Sequence, residues 1–182
     1  MLPGTIGNEP MGYTTKFEGV FQVTPTLSPE HKDYLEAFAR TRRVKRDAAA
    51  TEKVPDRRRL AVGLRIGEEG GYYVGSADYG ISAQRDIDCQ DPTILNVNQP
   101  PKGQPQLHCD WVPTEDGNGI QWNGSEKFYG YVDWLEFIID HFLAPWGYEV
   151  DGDVTWQGES EDDFGTIYVR NNSVTTNGAP GA

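Results

Sequence analysis

Apolar side chains recur along this chain at two periods. In residues 14–24, Phe17, Val20, Phe21 and Val23 read as a strand with a bulge near Gly19. Ser28-Pro29 then opens a helix. The Ser hydroxyl is an N-cap acceptor, Pro fixes the first helical φ, and Glu30 faces the positive end of the dipole. Tyr34, Leu35 and Phe38 share one face of that helix, which runs to about Arg42. A longer stripe of Phe128, Tyr131, Val132, Leu135, Ile138, Ile139 and Phe142 predicts a second helix. Asn123 would cap it, with Glu126 in capping-box spacing and Pro145 as its stop. Between and after the helices, residues 60–66, 72–74, 107–112, 120–122, 147–150, 154–158 and 164–170 read as strands. Residues 67–71 and Asp116-Gly117 supply turns.

Two amphipathic helices need an apolar sheet face to cover. The expected fold is therefore α+β, with both helices packed on a mostly antiparallel sheet in a two-layer sandwich. A chain of 182 residues suits one domain. Residues 13–174 are taken as that domain and residues 1–12 as a flexible extension. The polar run 175–182 reads as a disordered tail, and a flexible basic insert spans about residues 44–58. Residues 78–106 form a long polar loop with several prolines, a length usual for functional or surface-packed segments.

Charge is unevenly distributed along the chain. Fourteen of the 28 acidic residues lie after Lys102, offset there only by Lys127 and Arg170. The C-terminal part thus carries the whole formal charge of -12, while fourteen acids and fourteen bases cancel before it. Such a surface repels nucleic acid and membranes and favours a partner protein with a basic surface. Ten of the sixteen bases sit in residues 40–65. Nucleic acid is disfavoured except through that arm, at Arg42, Arg43, Lys45, Arg46, Arg57, Arg58 and Arg59. There is no run of 18 apolar residues, so no membrane span is expected. The opening residues lack the features of a secretory signal, so Cys89 and Cys109 are expected to be reduced thiols in a cytoplasmic protein.

Asp133, Glu136 and Asp140 fall at i, i+3 and i+7 on one line of the second helix, away from its apolar stripe. They read either as a solvated face or as an anionic stripe that docks on a basic surface or imitates nucleic-acid phosphates. Glu159, Glu161, Asp162 and Asp163 extend the acidic surface. These seven residues are the candidate partner-binding set. A second reading places a ligand pocket under the 78–106 loop, lined by Tyr72, Tyr73, Tyr79, Trp111 and Trp122. His108 and Asp110 would share a strand face, where a carboxylate can orient an imidazole as a base, but no nucleophile accompanies them. The glycines of residues 67–75 match neither dinucleotide nor phosphate-loop spacing. No catalytic set, metal site or cofactor is read from the chain.

Several strings carry a resemblance. These are Met11-Gly12-Tyr13-Thr14-Thr15, Thr41-Arg42-Arg43, and Gly103-Gln104-Pro105 leading to the run from Cys109 to Gly117. To them are added Glu126-Lys127-Phe128-Tyr129-Gly130-Tyr131-Val132 and His141-Phe142-Leu143. Together they resemble a family of small bacterial and phage-type proteins with no established activity, over most of residues 11–174. The resemblance implies no catalytic residue. It implies that Met11 lies near the usual family start and that the insert at 44–60 is longer here than is usual.

Overall fold

In the computed structural model, which describes residues 12–75 and 90–178, the alternating stretches join into a mostly antiparallel sheet. The elements, in chain order, are β1 (Lys16–Glu18), β2 (Phe21–Thr24), α1 (Pro29–Arg40), β3 (Lys45–Arg46), α2 (Ala48–Glu52) and α3 (Arg57–Ala61). They continue with β4 (Ile94–Asn96), β5 (Trp111–Pro113), β6 (Gly119–Trp122), α4 (Tyr131–Ile138), β7 (Glu149–Gln157), β8 (Phe164–Arg170) and β9 (Ser173–Asn177). The sheet runs β5-β6-β2-β7-β8-β9, and β3 pairs with β4 apart from it. One edge of β7 serves two strands: Glu149, Val150 and Asp151 pair with β2, while Thr155, Trp156 and Gln157 pair with β1. The chain jogs between β1 and β2 at Gly19, which takes φ 119; a Cβ there would meet the Asp153 carbonyl at 2.7 Å. The bulge expected near Gly19 does not form: the register continues unchanged from Glu18↔Thr155 to Gln22↔Asp151, with no extra residue between them.

Side-chain alternation sets the two faces of the sheet. Val150, Val154, Trp156, Ile167 and Val169 point inward and are buried. Helices α1 and α4 cover them, so the observed fold is the expected α+β sandwich. Edge-to-face aromatic contacts knit the core: Phe17 to Trp111 at 5.3 Å within the sheet, Phe17 to Tyr131 at 4.9 Å between the layers and Phe38 to Phe142 at 5.1 Å among the helices. The Trp111 indole also donates to the Tyr131 carbonyl at 2.7 Å, fixing the start of α4 against β5. Ser28 caps α1 as expected, its Oγ accepting from His31 N at 3.2 Å.

Elsewhere local pattern misleads. Helix α4 starts at Tyr131, not near Asn123, because residues 123–130 first bring Phe128 into the core. The Asn123 side chain instead closes a turn by accepting from Ser125 N at 2.9 Å. Beyond Ile138 the helix widens into a π turn, Ile139–Leu143. Only the end of the expected 107–112 strand pairs, as β5. The two strands expected at 147–150 and 154–158 are one, β7. The expected 60–66 and 72–74 hairpin does not form; α3 occupies part of the first segment. The 44–58 segment, expected to be flexible, carries β3, α2 and the start of α3, with Asp47 capping α2. Thr175, Thr176 and Asn177, expected in a disordered tail, lie in β9. The expectations for residues 1–11, 78–89 and 179–182 lie outside the described residues.

Residues 71–75 are held by side chains rather than by a ladder. Arg43 donates through Nη2 to the carbonyls of Gly71 at 2.9 Å and Tyr73 at 2.8 Å. The Tyr34 hydroxyl reaches the Tyr72 carbonyl, and the Thr41 hydroxyl that of Val74. Asp56 accepts from the N–H groups of Val74 and Gly75. A lysine has no planar fork with which to replace the guanidinium. Arg43→Lys is expected to cost about 2–4 kcal/mol in urea unfolding, since each buried carbonyl left unpaired costs about 1–3 kcal/mol. Leu135→Ala, a truncation at a fully buried position of α4, should cost about 2–5 kcal/mol by the same measurement.

Candidate functional site

Helix α4 is buried on most of its circumference. Trp134 and Phe137 face α1, while Tyr131, Leu135 and Ile138 join the same core. What remains at the surface is a narrow line, Asp133, Glu136 and Asp140, all three exposed. The structure therefore brings the three carboxylates together on one outward strip, as their spacing predicts. The Glu136 carboxyl is held above the usual range, first by partial burial and then by the charges of Asp133 and Asp140. Among the described residues, none of the three takes part in an ion pair.

The second acidic group divides. It forms the tip between β7 and β8, where two members are occupied. Glu159 accepts from Thr14 N at 2.6 Å. Asp163 accepts from the Tyr13 hydroxyl at 2.5 Å and from the Trp156 indole at 3.2 Å. These two bind the N-terminal strap to the tip and have a structural role. Glu161 and Asp162 stay exposed.

The basic arm is largely consumed. Arg43, Arg46 and Arg59 are buried, so they are out of reach of a nucleic-acid phosphate. Arg46 pairs with Asp91 at 2.9 Å and lies over the Tyr73 ring at 4.3 Å; Arg59 pairs with the buried Asp56 at 3.0 Å. Arg58 pairs with Asp33, Lys45 with Glu69 and Lys102 with Glu68. Arg42 donates to the Val97 carbonyl, and Arg57 is exposed. Each described ion pair made by a base of this half uses an acid of the same half. On the other side of the chain the described ion pair is Arg170 with Asp153.

The aromatic residues proposed to line one pocket are dispersed. Trp111 is in the core, and Trp122 pairs beside it across β5 and β6, its indole donating to the Ser125 carbonyl. The Tyr72 hydroxyl bonds His141 Nδ1 at 2.7 Å, while Tyr73 lies beneath Arg46. Tyr79 falls outside the described residues. Two shallow depressions, of about 600 and 710 Å³, open on the solvent side of the sheet, one around Gln22 and Gln121, the other around Thr155 and Phe164. None of the proposed pocket aromatics lines either.

His108 and Asp110 do not act on each other. Burial, then Arg42 and Arg43, push the imidazole down to about 4. Burial raises the Asp110 carboxyl to about 6, against a 3.2 Å hydrogen bond from Asn123 Nδ2. The buried Cys109 thiol is raised to about 12, which makes it inert as a nucleophile. Among the described residues no three His, Cys, Asp or Glu side chains gather as a metal site, and no helix is long and apolar enough to cross a membrane. Sequence reasoning had no signal for the internal use of Glu159, Asp163, Arg43 and Arg58, because their partners lie 25 to 150 positions away.

No protein-family model, curated protein or solved structure matches this chain.

The two perturbed groups make opposite pH predictions. Asp110 is raised in the fold from 3.8 to about 6, so its ionisation penalises the native state above pH 6, and the penalty fades as pH falls toward 3.8. His108 is depressed from 6.5 to about 4, so its stabilising neutrality is complete above pH 6.5 and is lost as pH falls toward 4. Asp110→Asn should therefore raise stability by about 1–3 kcal/mol at pH 8, at 1.36 kcal/mol per unit, and by almost nothing at pH 4. Thermal denaturation across that range checks it.

Proposed function

We propose that this protein is a non-enzymatic interaction protein of bacterial or phage type that engages a basic protein surface through the acidic face of its C-terminal half. The carrying observation is the segregation of ion pairs. Fourteen acids follow Lys102 with two bases to offset them, and each described ion pair made by a base of the other half uses an acid of that same half. The negative charge of α4 is thus left for a partner. Three carboxylates along one rigid helix face also repel one another, which is the cause of part of the Glu136 shift. A cation placed over them relieves that repulsion, so binding lowers the Glu136 carboxyl and strengthens as pH rises through the carboxylate range. Interactions of this kind steer encounter, and they weaken with salt.

Surface plasmon resonance against immobilised poly-L-lysine tests this reading. The variant Asp133→Lys, Glu136→Lys, Asp140→Lys should bind at least about tenfold more weakly and lose most of the salt dependence of the association rate. A control with the same net charge, Glu18→Lys, Glu115→Lys, Glu149→Lys, should lose less than about threefold, because its substitutions lie outside the strip. Both variants should keep the wild-type melting temperature. Equal loss in the two would sink the assignment to α4.

A further inference from the structure

β9 is the unguarded edge of the sheet. Among the described residues it pairs with β8 alone, and all five of its residues are exposed or half-buried. The loop before it is Asn171-Asn172, with φ of 48 and 67, the pattern of a two-residue type I′ turn. In such a hairpin the flanking pair, Arg170 and Ser173, exchanges both hydrogen bonds. Alternation then aims the backbone groups of Ser173, Thr175 and Asn177 at β8 and those of Val174 and Thr176 outward. Among the described residues no hydrogen bond reaches those outward groups.

Natural edges are usually blunted by Pro, by charged residues, or by shortness. The opposite edge follows that rule, since β5 has three residues and ends on Pro113. β9 has five residues, without charge or proline, and two of the five are Thr and one Val, which favour extended pairing. Helix α4 packs beside β9, and the solvent side of α4 carries Asp133, Glu136 and Asp140.

We propose that β9 receives an extended Lys- or Arg-bearing segment of a partner as an added strand, with the cationic side chains turned toward the carboxylates of α4. This rests on the acidic-docking reading and specifies the form of the partner. The main-chain groups of Val174 and Thr176 hold the segment, and the carboxylates select its charge. A second copy of β9 is the poorer occupant, because it brings together two bodies of formal charge -12.

Fluorescence anisotropy with the full chain and a labelled octapeptide of alternating lysine and valine tests the proposal. A second peptide of the same sequence, N-methylated at every residue, keeps the charge but has no backbone donors. It should bind about tenfold more weakly, as expected for losing one or two net hydrogen bonds. Thr176→Pro, which deletes one outward N–H, should weaken the unmodified peptide severalfold and leave the methylated one unchanged. Equal binding of the two peptides to the wild-type chain overturns strand addition. If that equal binding is still lost on reversing Asp133, Glu136 and Asp140, the docking reading stands without it. Binding of neither peptide overturns both. Sedimentation showing a dimer that Thr176→Pro splits would assign the edge to a second copy and also overturn the proposal.

Discussion

Six backbone groups in residues 71–75 obtain hydrogen bonds from side chains, and the buried Arg43 guanidinium satisfies two of them. The segment has no ladder partner, yet Tyr73 and Val74 are buried, so without these donors and acceptors it would carry orphaned polar groups. The guanidinium itself is costly to bury; burial lowers it to about 10. Two carbonyls, the Gln104 amide oxygen at 3.3 Å and the Phe38 ring face at 4.1 Å offset that cost. The same residues couple distant parts of the chain. Tyr34 and Phe38 come from α1, Arg43 from its exit, Asp56 from the entry of α3, and Gln104 from the approach to β5.

This grip explains the charge distribution over the surface. Arginines that read as a solvent-facing basic arm are spent on internal carbonyls and carboxylates. Their removal from the surface leaves the acids after Lys102 without nearby compensation. Packing and electrostatics are therefore linked: burying these arginines keeps them from the acids that already outnumber the bases in the other half. Of the candidate docking acids, Glu159 and Asp163 found structural work, being those reached by the strap that begins with Tyr13. Those on α4 have buried neighbours on either side and open solvent in front.

Much of the framework was legible because its signals are local. The Ser28 cap, the α1 stripe and the strand at 164–170 depend on residues within a few positions of one another. The three-carboxylate strip on α4 was legible for the same reason: helical spacing alone puts it on one line. The misread segments share a different property. Residues 72–74 are extended but satisfied by Arg43, Tyr34 and Asp56, and the 44–58 insert is ordered by pairing with β4 and by burial of Arg46 and Thr51. Composition there looks too polar to fold, because it cannot show that a guanidinium over Tyr73 or a carboxylate beside Arg59 makes burial tolerable.

The α+β class, the two principal helices, most of the sheet's strands and the accumulation of negative charge after Lys102 can all be read along the chain. Each follows from periodicity or from a count, which need no knowledge of what lies opposite. Which charges are available follows from the fold. It paired seven bases of the first half with that half's acids, tied Glu159 and Asp163 to the N-terminal strap, and left Asp133, Glu136 and Asp140 outward on α4. The physical reason is that a charge is compensated by whatever lies within a few ångströms of it, and chain separation carries no record of that distance.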